Sequence, residues 1–180
     1  LPTKGNVIVA GRDITIMPEH RRAGFIGRVF QEPGKGTAPG MTVAQNLSLA
    51  IKKSGRRLCK GVTRQRRELF KEELSKLGLG LEKRLDEDIR HLSGGQRQGV
   101  AVLMATLTTP KILLLDEHTA SLDPKNAKKI VEITAQLVEE KDLTTVMVTH
   151  DMNQALELGN RLAMLHRGSI VYDVNGNKKK

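Results

Sequence analysis

Three short apolar runs in this chain each stop at a polar side chain: Phe25 to Phe30 before Gln31, Lys111 to Leu115 before Asp116, and Leu143 to Thr149 before His150. Runs of that length, separated by helix-length amphipathic stretches, fit buried strands of a parallel sheet covered by helices. In open parallel sheets, ligands sit at the carboxyl ends of the strands. Three unlike polar residues at equivalent ends therefore converge on one crevice. That convergence constrains the chain more than any single residue does.

Helix punctuation supports the same layout. Thr42 with Gln45 and Ser93 with Gln96 fit the capping box, so helices are expected from there to about Lys52 and about Thr108. Thr63 to Leu77 reads as a helix with Leu69, Phe70, Leu74 and Leu77 on one face and Gly78 ending it. Asp123-Pro124 pairs an N-cap with proline at the first helical position, opening a helix to about Lys141. Asp151 and Gln154 cap a short helix that stops at Gly159. Asn6 to Ala10 reads as a strand followed by a Gly11-Arg12-Asp13 turn, Glu32 to Gly36 as a loop, and Arg161 to Val174 as a hairpin turning at Arg167-Gly168. The expected fold is α/β, a mostly parallel sheet flanked by helices. Residues 1–41 and 91–180 supply its core, and residues 42–90 an inserted helical subdomain with 92–96 at the junction.

Bulk composition narrows the function classes. The single cysteine, Cys59, excludes an internal disulfide and suits a reducing compartment. The longest stretch free of charge and turn residues, Val100 to Thr109, is far too short to span a bilayer. The opening Leu1-Pro2-Thr3-Lys4-Gly5 is turn-like rather than a signal pattern. Net charge is +10, and between Lys52 and Arg90 thirteen Lys and Arg face seven Asp and Glu, with Lys178-Lys179-Lys180 adding to the excess. With no Trp, one Tyr and three Phe, a base-stacking platform is hard to build, so the basic stretch reads as a solvated helical face and no nucleic-acid partner is expected.

The strand-end residues suit polyphosphate chemistry. Asp116 emerges from Ile112-Leu113-Leu114-Leu115 and can hold Mg²⁺ through water, and Glu117 can orient or deprotonate an attacking water. A pair of acids merely capping the next turn is the plainer alternative. Ser93-Gly94-Gly95-Gln96 puts two glycines in a first helical turn, where backbone N–H groups and the helix dipole favour an anion. A capping box alone accounts for Ser93 and Gln96 but not for the glycines between them. His150 can donate to a terminal phosphate, and Gln31 can bridge metal and water; each also serves as an ordinary turn residue. His20, His91, His118 and His166 show no metal-ligand spacing. The phosphate-wrapping loop G-x-x-x-x-G-K-[ST] does not occur in residues 1–180. Its nearest approach, Gly34-Lys35-Gly36-Thr37, has Gly36 after the lysine and Val29 in place of the first glycine.

Taken together, these residues resemble the nucleotide-binding domain of ABC transporters over essentially the whole chain. Leu92-Ser93-Gly94-Gly95-Gln96 matches the family signature, Leu113-Leu114-Leu115-Asp116-Glu117 the Walker B strand with its catalytic glutamate, Gln31 the Q-loop, Ser121-Leu122-Asp123 the D-loop and His150 the switch histidine. The resemblance implies an ATP hydrolase with ATP and Mg²⁺ as cofactors. Catalysis falls to Glu117, His150 and Gln31, metal binding to Asp116 and Gln31, and nucleotide contact to Ser93, Gly94, Gly95, Gln96 and Asp123. It further implies a head-to-tail dimer with a second ATP-binding subunit and docking on a membrane permease at the cytoplasmic face of the cell membrane. Gly36 to Thr42 and Asp116 to Ala120 look similar to importer ATPases of amino-acid uptake systems. His118 departs from the proline usual after Asp-Glu. The family's phosphate loop lies upstream of the segment that resembles residues 1–15, so the fold is expected without its N-terminal P-loop portion and residues 1–180 alone are expected to bind ATP weakly and to turn it over poorly. The missing strand and helix are also expected to leave an apolar strip exposed on the sheet. The alternatives are a non-transport ABC ATPase and a non-catalytic interaction module.

Overall fold

A computed structural model describes residues 2–51 and 62–175. Cys59, the first part of the basic stretch from Lys52, and Lys178-Lys179-Lys180 lie outside the described residues. In chain order the strands are β1 (Ile8–Val9), β2 (Arg12–Asp13), β3 (Ile26–Val29), β4 (Ile112–Asp116), β5 (Thr145–Val148), β6 (Arg161–His166) and β7 (Ser169–Asn175). The helices are α1 (Glu19–Arg22), α2 (Pro33–Gly36), α3 (Val43–Ile51), α4 (Arg64–Lys76), α5 (Gly94–Thr106), α6 (Pro124–Glu140) and α7 (Met152–Glu157). The three runs that end on Gln31, Asp116 and His150 are adjacent parallel strands in the order β3-β4-β5.

The caps form as the sequence indicates. Ser93 accepts from the Gln96 N–H while the Gln96 side chain accepts from the Ser93 N–H, and Thr42 and Gln45 repeat the exchange. Asp123 caps α6 with Pro124 behind it, and Asp151 accepts from the N–H groups of Asn153 and Gln154. The hairpin of β6 and β7 turns at Arg167 and Gly168, both at positive φ, the geometry that a tight two-residue turn between twisted strands requires.

Several local expectations are corrected. Glu32 to Gly36 is not loop throughout: Pro33 presets φ, and a one-turn helix forms over Pro33–Gly36. The first turn falls at Ala10-Gly11, both at positive φ, so Arg12-Asp13 becomes a second short strand rather than the turn. Leu69 is 42% exposed, and the inward face of α4 is Phe70, Glu73, Leu74 and the following Leu77. Glu73 is tolerated there because Lys76 and Lys141 reach it at 2.6 and 3.2 Å; burial opposes its charge, but the two lysines outweigh that and lower its pKa.

The sheet's two faces differ. Val29, Leu113 and Leu115 point into the core, where they join Val100, Leu103, Ile130 and Ile133 of α5 and α6. The opposite face carries Arg28, Phe30, Leu114, Asp116, Val146 and Val148, and β5 is an edge strand with Val146 and Val148 about half exposed. The expectation of a strand buried on both faces therefore fails for β5, because burial is set by neighbours across the sheet and not by the run's own hydrophobicity. Among the described residues no helix is long and apolar enough to cross a membrane.

His118 lies in this core at 2% exposure, with Nε2 3.3 Å from the Thr134 hydroxyl. That hydroxyl spends its proton on the Ile130 carbonyl at 2.7 Å, so the His118 Nε2–H donates to Thr134 Oγ1. Burial pushes the His118 pKa down from 6.5 to about 4. The unfolded chain takes its proton first, so stability falls as pH drops through the window from the unfolded value to about 4 and is level below it. The expected loss is on the order of 3 kcal/mol. Urea melts of the chain and of His118→Gln, which keeps a donor for Thr134, should show the acid limb flattened by that amount in the variant.

Candidate functional site at the strand ends

Register places the site residues. Val29 is level with Leu115, and Asp116 is level with Val148, so Gln31, Asp116-Glu117 and His150 emerge from three neighbouring strands at the same end. Neighbouring strands lie about 4.8 Å apart, so the four positions lie close together along one edge of the sheet. Two cross-links tie the ends together. The Ser121 hydroxyl donates to the Gln31 carbonyl at 2.9 Å, and His150 Nδ1 lies 3.2 Å from Glu117 Oε1. Glu117 also donates its N–H to the Val148 carbonyl at 3.0 Å and has φ +44°. A non-glycine residue at positive φ costs of order 1–3 kcal/mol, strain that accumulates at functional positions.

A cavity of ≈ 560 Å³ opens beside Glu117 and His150, walled by Lys128 and Glu132 of α6 and by Asp151 and Gln154 around α7. Asp116 sits nearby, and its Oδ2 accepts from Arg28 Nη2 at 2.9 Å. The donors here are the hard oxygens of Asp116, Glu117 and Gln31. Among the described residues no group of three or more His, Cys, Asp and Glu could enclose an ion by itself. Such a set fits Mg²⁺, which keeps much of its water and is completed by substrate phosphates. It does not fit a metal that needs a full protein cage.

The Ser93-Gly94-Gly95-Gln96 tip is braced from behind. Gln96 Oε1 accepts from Arg84 Nη1 at 2.7 Å, its Nε2 donates to the Leu79 carbonyl at 3.2 Å, and Arg84 is itself held by Glu87. The two glycines have different reasons. A Cβ on Gly95 would lie 3.0 Å from Asn126 of α6, so this glycine lets the first turns of α5 and α6 pack together. Packing therefore accounts for Gly95 without an anion, which sequence reasoning had not supplied. Gly94 is half-buried, and a Cβ there would meet Leu122 only at an ordinary 3.5 Å. Asp123 accepts from the Asn126 N–H and side-chain amide, which lower its pKa.

Gln31, Asp116, Glu117 and His150 thus share one end of the sheet, while Ser93, Gly94, Gly95, Gln96 and Asp123 form a second cluster at the meeting of two helix starts. Sequence reasoning missed Arg28, Arg84 and the bond from buried Gln98 to the Phe30 carbonyl. Only Arg28 had a signal: a lone charge alternating with Phe30 inside an apolar run.

A parallel α/β sheet that gathers glutamine, an Asp-Glu pair and histidine at its strand ends, beside a capped Ser-Gly-Gly helix, defines a nucleotide-hydrolysing domain. The profile of the ABC transporter family matches residues 1–120. A tyrosine transport ATP-binding protein of Clostridioides difficile is 43% identical over 178 residues, covering 99% of this chain and 71% of that protein. A methionine import ATP-binding protein of Enterococcus faecalis is 36% identical over 173 residues, 94% of this chain and 48% of its own length. Among solved structures, a dimeric ATP-binding cassette in a post-hydrolysis state with ADP and Pi superposes with a TM-score of 0.78 at 32% identity, covering 97% of this chain and 74% of that one. The chain belongs to the ABC transporter family of ATP-binding proteins, whose members hydrolyse ATP.

Proposed function

We propose that this chain serves as an ATP-binding subunit of an importer, hydrolysing ATP to drive uptake of a small solute of the amino-acid class. The observation that carries it is the 3.2 Å approach of His150 to Glu117 at the ends of β5 and β4, with Asp116 preceding Glu117 and Gln31 following the neighbouring strand β3. The tyrosine and methionine systems named for its relatives support the choice of solute.

In this reading Glu117 orients and deprotonates the attacking water, and His150 donates to the terminal phosphate. Asp116 and Gln31 would hold Mg²⁺, which would supply positive charge against the phosphate oxygens. The tip at exposed Ser93 and half-buried Gly94, with Gln96 and Gly95 fixing its shape and Asp123 beside it, faces the nucleotide of a second subunit, since among the described residues no bond joins it to the strand ends of its own chain. We assign residues 42–90 to the arm that meets a permease, carrying α3 and α4, and residues 1–41 and 91–180 to the catalytic core. The assembly is peripheral, at the cytoplasmic face of the membrane.

The test is reconstitution. The full-length protein, co-expressed with a candidate permease, should drive ATP-dependent uptake of an amino acid into liposomes and dimerise when ATP is added. Absence of ATP binding by that protein would overturn the proposal.

A further inference from the structure

The Asp116 carboxylate, placed to hold a divalent cation, already has a cation on it. Arg28 is level with Leu114 across the β3–β4 pair, so Arg28, Phe30 and Asp116 project from the same open face of the sheet. The guanidinium carbon lies 4.4 Å from the centre of the Phe30 ring, and Nη2 meets Asp116 Oδ2 at 2.9 Å. Stacking and ion pairing together aim the charge at this one oxygen.

We propose that Arg28 is a built-in counter-ion of the site, holding the oxygen of Asp116 that a divalent cation would take on loading. The inference rests on the reading of Asp116 as the metal carboxylate. An arginine cannot shed its proton, so its charge is fixed and repels any cation that approaches the same oxygen. Both side chains are about half exposed, so their pair contributes little to folding and can open without unfolding β3. The cost of displacing it falls on metal binding. Asp116 stays paired with Arg28 until a polyphosphate brings its own negative charge, and the planar fork released from Asp116 matches phosphate oxygens. Arg28 is thus a positioning residue that makes metal entry depend on nucleotide.

The experiment titrates Mn²⁺ alone, without nucleotide, into the full-length protein and follows the free-ion signal by electron paramagnetic resonance. Arg28→Met should bind Mn²⁺ about ten-fold more tightly than the parent, the scale expected when one fixed charge is removed beside a divalent ion. Arg28→Lys, which retains the charge, should stay near the parent value, and Arg28→Met/Asp116→Asn should lose the gain. Arg28→Gln supplies a second neutral variant, and decides the matter if Arg28→Met does not fold. An unchanged or weaker affinity in the neutral variants, with Asp116→Asn still weakening Mn²⁺, overturns the counter-ion role and leaves the metal reading of Asp116 standing. A gain that survives in the double variant removes Asp116 from the metal site and takes both readings down.

Discussion

Gly27→Ala is expected to cost about 3 kcal/mol and to lower the melting temperature by about 6–12 °C, with Gly27→Val preventing a cooperative fold. Gly27 is buried in β3, paired with Leu113 of β4. A Cβ there would lie 2.5 Å from the Ala105 carbonyl oxygen, 2.9 Å from Pro110 Cγ and 3.2 Å from Leu113 Cδ1. The nearest atom is backbone, near the end of α5, so no side-chain rotation relieves the overlap. Either β3 leaves α5 or the strand pair opens, and both disturb the main core. Natural domains hold only about 5–15 kcal/mol of net stability, so a loss of this size is large. Gly34→Ala is the control. Nothing lies within 4 Å of its added Cβ, and its melt should match the parent's. Calorimetry of the three variants checks the ordering, and a Gly27→Ala melt within about 2 °C of the parent would contradict the packing argument.

The same geometry explains what could be read in advance. Ser93 with Gln96, Thr42 with Gln45 and Asp123 with Pro124 were legible because a cap is a contract between residues three apart and needs no distant partner. Gln31, Asp116, Glu117 and His150 were legible as strand ends, since each follows a short apolar run and parallel strands finish together. The rest depends on neighbours that the local pattern does not name. Gly95 looked like an anion-binding glycine until Asn126 was found against it, and the sequence gives no sign that these two turns touch. β5 looked fully buried, yet Val146 and Val148 stand open because exposure is decided by what lies across the sheet. Arg28 was overlooked because a charge inside an apolar run is easily assigned to solvent, and only β3–β4 register shows that it shares a face with Asp116.

Glu117→Gln should reduce ATP turnover by about 10²–10³-fold while leaving ATP affinity within about two-fold, measured on the full-length protein. The substitution separates two jobs. Glu117 Oε1 stands 3.2 Å from His150 Nδ1, so one job is to orient that imidazole, and the job we propose beside it is to take a proton from water. A glutamine amide has the same shape and can still offer an oxygen to His150, but it has no basicity. If orientation were all that mattered, turnover would survive. If proton abstraction is the larger contribution, turnover collapses, and dimers joined by ATP accumulate because the nucleotide between them is not consumed. The backbone supplies a second discriminator. Glu117 holds φ +44°, so Glu117→Gly relieves strain of about 1 kcal/mol or more while deleting the carboxylate. A chain that becomes more stable as it loses turnover would show that the fold tolerates this strain in order to place a base at the end of β4. Turnover retained in Glu117→Gln would move the base elsewhere and leave Glu117 only as the support of His150.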